Sequence, residues 1–284
     1  MSRPTLLSAI TTFLHPLFTH NSSTRPFILG ISGPQGSGKS TAASNISTHF
    51  TSAPHNLRVV ILSIDDLYQP FPVLQSLAAK NPLWRTRGLP GTHDVKLGVE
   101  VLQKLKRGEE VRVPRFDKSR HNGRGDRVEV ELWEKVVGRV DLVVLEGWCV
   151  GFRALGETKG ERLREAEGKW GEGVVEVDRA LEEYDELWSM IDHLVHIDAQ
   201  DLSFVYDWRL EQEHWLIKEK GMGMTDDQVR QFVDGYMSGY ELYGESLRNG
   251  ALKGKGKKQL RVTIDKARDV VDVAVLENVF ESSV

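Results

Sequence analysis

Cysteine is almost absent from this chain: Cys149 stands alone among 284 residues. A lone thiol excludes an intrachain disulfide framework and suits a reducing compartment. Long hydrophobic runs are missing too. No apolar stretch approaches the roughly 20 residues that a membrane-spanning helix requires, and the N-terminal residues alternate apolar and polar groups around Pro16. That segment, with Arg3 its one Lys or Arg, reads as neither a signal peptide nor an arginine-rich presequence. A cytoplasmic location is the expectation, with a nuclear presence left open. An excess of basic charge is also lacking. The 37 Lys and Arg stand against 41 Asp and Glu, for a net charge of −4, so no global positive field recommends a nucleic acid or an anionic membrane as partner. What is present is 40% hydrophobic content over a length that can bury a substantial core, read as one domain spanning 1–284.

A helix-like stretch from Thr5 to Thr19 lies in an N-terminal helical segment, 1–26. Phe27 to Ser32 is apolar and β-compatible, and it runs into a glycine-rich loop and a helical segment. Further apolar runs, 57–64, 141–145 and 193–197, end respectively at Asp65 and Asp66, at Glu146 and at Asp198. Continuous Val, Ile and Leu runs separated by helical spans predict strands buried on both faces, hence a parallel sheet with crossover helices. Ligands of such sheets sit at the carboxyl ends of the strands, where these carboxylates stand. Leu260 to Ile264 is a late strand candidate after a basic GKGKK stretch, 254–258, expected as a solvated loop. Residues 153–173 are rich in charge and glycine with little apolar periodicity, which predicts a mobile surface insertion. From Thr225 a capping box with Gln228 precedes Val229, Phe232, Val233, Tyr236, Tyr240 and Tyr243 at the spacing of a core-facing amphipathic helix.

Gly33, Pro34, Gln35, Gly36, Ser37, Gly38, Lys39 and Ser40, followed by Thr41, form the phosphate-binding pattern of glycine, four residues, glycine, lysine and hydroxyl. The preceding strand and following helix are the context that pattern needs. Glycines let backbone N–H groups converge on phosphate oxygens, the helix adds its positive dipole end, Lys39 neutralises β and γ oxygens, and Ser40 is placed to ligate Mg2+. ATP or GTP binding follows. Asp65 is placed to face the γ-phosphate and hold an attacking hydroxyl, with capping of the next helix as the alternative for it and, more strongly, for Asp66. Glu146 follows a buried strand as the second acidic group of such a site, for the metal or its waters.

The loop at Gly33, the Asp65 position and the Glu146–Gly147 pair resemble the superfamily of uridine kinase, pantothenate kinase and phosphoribulokinase. The segments NPLWRTRGLPGTHD, ending at Asp94, VPRFDKSRHNGRGDR, from Val113 to Arg127, and LEGWCVGF, from Leu145 to Phe152, narrow this to a resemblance to the D-glycerate 3-kinase family, fungal members included. It runs from about Phe27 to the C-terminus, apart from the charged insertion. The resemblance implies a P-loop NTPase fold, a three-layer α/β/α sandwich with a mostly parallel sheet and a helical lid at about 199–224. It implies ATP and Mg2+ as cofactors, the metal on Ser40, Asp65 and Glu146. Lys39, Asp65, Glu146 and a lid arginine, Arg209, take the catalytic positions; which of Asp65 and Glu146 acts as base stays open. An ordinary helix pairing with Glu213 is the alternative for Arg209.

Val113 to His121 is similar in character to the acceptor-binding segment of uridine kinases, with Phe116 and His121 at matching positions. Lys118, Arg120, Arg124 and Arg127 suit a small anion better than a neutral base. Arg87, His93 and Asp94 are further acceptor-side candidates, with turn and capping roles as alternatives. The acceptor that the resemblance implies is D-glycerate, phosphorylated to 3-phosphoglycerate. A nucleotide-binding regulator or slow NTPase acting through a protein partner is the other reading. A nucleic-acid 5′-hydroxyl kinase conflicts with the acidic balance.

Overall fold

A computed structural model of the chain describes residues 3–20, 26–156, 160–254 and 256–277. Helix α1 (Leu6–His20) precedes strand β1 (Phe27–Ser32), which turns through the glycine-rich loop into helix α2 (Lys39–Thr51). Strand β2 (Val59–Ser63) runs into a 3-10 turn, Ile64–Leu67, and then helices α3 (Phe71–Lys80) and α4 (Val95–Arg107). Two small antiparallel ribbons follow, β3 (Val111–Val113) with β6 (Glu134–Val136), and β4 (Phe116–Asp117) with β5 (Asp126–Arg127). After strand β7 (Leu142–Gly147) come helices α5 (Gly160–Trp170), α6 (Gly173–Glu182) and α7 (Tyr184–Ser189), then strand β8 (His193–Ala199). Helices α8 (Phe204–Lys220) and α9 (Asp226–Arg248) lead to strands β9 (Lys258–Ile264) and β10 (Val270–Glu277).

The main sheet has the order β10-β9-β8-β1-β7-β2, parallel except for β10, which pairs antiparallel with β9. Every position of β1, β7 and β8 is buried, so helices cover both faces, as continuous apolar runs require. In register, Glu146 of β7 lies opposite Ile31 of β1 and Ser63 of β2. The glycine-rich loop, Asp65 and Glu146 therefore share the carboxyl edge of three neighbouring strands. Among the described residues no helix is long and apolar enough to cross a membrane.

The charged stretch 153–173 is more ordered than its composition predicts. Residues 157–159 lie outside the described part, but Gly160–Trp170 is a helix that buries Ala166 and ties Arg162 to Glu245 at 2.7 Å and Lys169 to Glu241 at 2.5 Å on α9. A helix that docks through one narrow strip and charged edges leaves little apolar periodicity to read. The basic stretch 254–258, in which residue 255 is not described, differs too. Lys257 Nζ donates to the carbonyls of Ser189 at 2.7 Å and Ile191 at 2.6 Å, and Lys258 belongs to β9. These lysines anchor a strand instead of lying free in solvent. Residues 21–25 of the N-terminal segment are likewise outside the described part.

Candidate active site

The phosphate side is built from backbone. Gly36 (φ 78°) and Gly38 (φ 93°) occupy left-handed conformations open to glycine, and a Cβ on Gly36 would stand 2.4 Å from Cβ of Trp208 on α8. Gly38 caps α2 without any side-chain hydrogen bond, which leaves first-turn N–H groups facing out of the helix as an anion cradle. Two distant residues and one of its own brace the loop. Gln35 N donates to Tyr240 Oη at 3.0 Å, Arg268 Nε donates to the Gly36 carbonyl at 2.8 Å, and Lys39 Nζ donates back to the Pro34 carbonyl at 2.9 Å. Burial lowers the Lys39 pKa, while Glu146 and Asp65 work against that shift.

The carboxylates stand beside this loop. Glu146 is buried, and its Oε1 accepts from Ser40 Oγ at 3.2 Å. Asp65 accepts from Tyr68 Oη at 2.9 Å on one oxygen and from Lys118 Nζ at 2.5 Å on the other. Burial alone would raise the Asp65 pKa, but the charge and hydrogen bond of Lys118 overcome it and, with His93 and Tyr68, hold the group at about 2. It is ionised at neutral pH. The adjacent oxygens of Ser40 and Glu146, with Asp65 across the same strand edge, are the hard donors that Mg2+ accepts alongside phosphate oxygens and waters; the residues fit the ion.

The acceptor wall is assembled around the 3-10 turn. Asp66 does not cap a helix: it accepts from Arg115 at 3.0 Å and from Phe116 N at 3.1 Å, and so pins the β4 segment against the turn. Ser63 is the residue that caps the turn. Buried Phe116 packs on Tyr68, and the Arg87 guanidinium lies 5.8 Å and 5.5 Å from their ring centres while donating to the carbonyls of Gly123 and Arg124. His93 stacks on Tyr68 with centroids 4.5 Å apart, and its Nδ1 lies 2.7 Å from Tyr184 Oη, with Nε2 buried and unpartnered. Burial pushes its pKa down to about 4, so this imidazole is neutral.

Of the remaining acceptor-side candidates, Arg124 is exposed, and the others are engaged with the fold. Asp94 caps α4 through Leu97 N at 3.1 Å and pairs with Arg127 at 3.1 Å. His121 stacks on Phe71 and meets Asp126 at 3.1 Å, and Arg120 pairs with Glu129 at 2.8 Å. The structure thus brings Lys118, Phe116, His93 and Arg87 together around Asp65 and Tyr68, while the polar atoms of Asp94 and His121 answer local loop demands.

Comparison with known proteins places the chain among kinases. The phosphoribulokinase/uridine kinase family profile matches residues 28–153. An uncharacterized kinase, mug58, of Schizosaccharomyces pombe is 42% identical over 237 residues, covering 79% of this chain and 83% of that protein. The chain belongs to the phosphoribulokinase/uridine kinase family. It is an ATP-dependent phosphotransferase that acts on an alcohol group. The chloroplastic D-glycerate 3-kinase of Arabidopsis thaliana is 33% identical over 255 residues, 87% of this kinase but only 54% of the plant protein's length. A solved structure of D-glycerate 3-kinase from Cryptococcus neoformans superposes with a TM-score of 0.82 at 32% identity, covering 95% of this kinase and 97% of that chain.

Several groups at the kinase's site left no signal in its sequence. Tyr240 and Tyr236 occur in an amphipathic pattern that reads as core, yet one holds the phosphate loop and the other donates to the Arg87 carbonyl at 3.0 Å. Arg268 belongs to no motif. Tyr68 alone was findable, three residues after Asp65. Arg209 follows Trp208, the residue against Gly36, but its guanidinium pairs with buried Glu213 at 3.0 Å and lies over Phe232. Glu213 also accepts from Met224 N at 2.8 Å, so the ion pair closes the turn between α8 and α9.

Proposed function

We propose that this kinase transfers the γ-phosphoryl group of MgATP to the 3-hydroxyl of D-glycerate. The observation that carries the reading is the Lys118 ammonium seated on Asp65 at 2.5 Å, between the phosphate loop and the Arg87 face. An acceptor carrying its own carboxylate competes for Lys118, and Arg87 offers a second cation. A neutral nucleoside has no group to make that exchange. The two relatives named D-glycerate 3-kinase support the same acceptor.

Ser40 and Glu146 would hold Mg2+, which when bound neutralises charge on the transferring phosphoryl group. Backbone amides from Gly33 to Ser40 and the Lys39 ammonium hold the triphosphate. Asp65 orients the acceptor hydroxyl in line with the γ-phosphorus. The new O–P bond forms as the bond to the ADP oxygen breaks, and the hydroxyl proton leaves to Asp65 or through it to water. A carboxylate held at about 2 is a weak proton acceptor, so its work is first positioning. As the substrate draws Lys118 away, the Asp65 pKa rises, and the group becomes a better base in the complex than in the free enzyme. The approach of Trp208 to Gly36 supports a role for α8 in excluding water from the cleft.

The test is acceptor-dependent ADP release from MgATP with D-glycerate, L-glycerate, uridine, pantothenate and ribulose 5-phosphate, and with Lys39→Ala as blank. Saturable release with D-glycerate alone is the expected outcome. Stimulation by uridine but not by glycerate would assign a neutral acceptor and defeat the Lys118 argument.

A further inference from the structure

At the other end of the phosphate-loop helix, three imidazoles meet. His15 comes from α1, His49 from the last turn of α2, and His55 from the turn that leads to β2. One ligand nitrogen of each lies within 4.8 Å of the other two. The ring centres are 5.1 Å apart for His15–His55 and His49–His55 and 5.6 Å for His15–His49. Buried Phe50 closes one side, with its ring centre 4.9 Å, 5.1 Å and 5.9 Å from those of His49, His55 and His15. His49 Nε2 is shielded from solvent and has no hydrogen-bond partner.

We propose that His15, His49 and His55 form a binding site for a zinc-class divalent cation, which clamps α1 onto the C-terminal end of α2. Neutral nitrogen donors select zinc and its transition-metal neighbours over magnesium and calcium, which prefer oxygen. The site is therefore chemically distinct from the Ser40–Glu146 pair. Zinc–nitrogen bonds of about 2.0–2.1 Å put tetrahedral ligand atoms roughly 3.3 Å apart, so the three rings close inward on binding. His15 is exposed and free to make that adjustment. Three protein ligands leave the fourth position to water. Ten residues of helix separate His49 from Lys39, roughly 15 Å at the helical rise, so the metal acts on the stability of the N-terminal layer and leaves the phosphoryl-transfer step untouched.

The experiment uses the untagged full chain, stripped with a chelator and held in saturating MgATP so that the oxygen site is filled. Zinc is titrated by calorimetry, and Co2+ is used as an optical probe of nitrogen coordination. One zinc per chain is expected, with a melting temperature raised by about 5 °C at a hundredfold excess over Kd. His15→Gln and His55→Gln, read separately, weaken zinc by about tenfold or more and at the same zinc concentration cut the thermal shift to about half or less. Basal MgATP turnover in both variants stays at the wild-type level, which also shows that they fold. Absence of stoichiometric zinc binding by the wild type overturns the proposal, and so does zinc retained at full affinity by both variants. Neither result touches the glycerate assignment, whose readout is acceptor-dependent ADP release without zinc.

Discussion

Backbone amides, one lysine and a helix terminus make the phosphate side of the cleft, whereas the acceptor side consists of side chains from segments far apart in the chain. Gly33 to Ser40 is a contiguous run whose function depends on its own φ and ψ values, with Gly36 and Gly38 in left-handed conformations. The acceptor side needs Asp65 from the end of β2, His93 before α4, Lys118 after β4 and Arg87 over two rings. A surface of fixed dipoles is insensitive to pH and to most single substitutions. One made of ion pairs and buried titratable groups is sensitive to both. The difference suits the two ligands: every nucleotide presents the same triphosphate, while the acceptor is what separates one kinase of this family from another.

The sharpest way to test that division is Asp65→Asn. It should lower kcat by on the order of a thousandfold while MgATP affinity, measured by direct titration, changes little; equal losses in both would merge the two sides into one. Arg209→Ala addresses the element that spans them. Because Glu213 is buried and would lose its cation, the folded state should weaken by about 3–5 kcal/mol in chemical denaturation, with turnover of the folded fraction nearly intact. A thousandfold loss of turnover at unchanged stability would instead return Arg209 to the transferring phosphoryl group.

Lys118→Met should raise the KM for the acceptor by about ten- to a hundredfold, in line with a lost charge-assisted hydrogen bond, and leave the KM for ATP near its original value. It also removes the group that overcomes burial at Asp65, so the Asp65 pKa must rise from about 2 and the acid limb of kcat/KM must move to higher pH. Tyr240→Phe probes the phosphate side in return. Leaving Gln35 N without its acceptor should cost about 1–3 kcal/mol, seen as weaker MgATP binding with an unchanged acceptor KM. Acid sensitivity is confined to the acceptor side. His93 is held neutral with a pKa of about 4 against an ordinary value near 6.5, so the unfolded chain binds the proton more readily. Stability from this group is complete above about 6.5 and declines as pH falls towards 4, and His93→Gln should flatten that part of a denaturation-midpoint curve.

Much of the fold was legible because it is written in local runs. The apolar segments ending at Ser32, Asp65, Glu146 and Asp198 became the strands of a parallel sheet, and Thr225 with Gln228 became the capping box of α9. The antiparallel β10 gave little warning, since an edge strand with alternating exposure lacks a continuous apolar run. Helix α5 was missed for a related reason: charged residues dominate it, and its partners Glu241 and Glu245 lie on a helix far along the chain. In the site, the loop and two carboxylates were recognisable, and capping was an open alternative for Asp94, the role it takes on α4, but the commitment of His121 to Phe71 and Asp126 was not legible.

What the sequence determined by itself was therefore the phosphate cradle, the strand ends that carry Asp65 and Glu146, and the family. Each rests on conformational preferences that act within a few residues. Only the tertiary structure decided which cation sits on Asp65, that Tyr240 holds the phosphate loop, that Arg209 faces Glu213, and that His15, His49 and His55 converge behind the helix. Those outcomes depend on distances of a few ångströms between segments tens of residues or more apart, or, for Arg209, on which of several neighbours a long flexible side chain reaches, and packing fixes both.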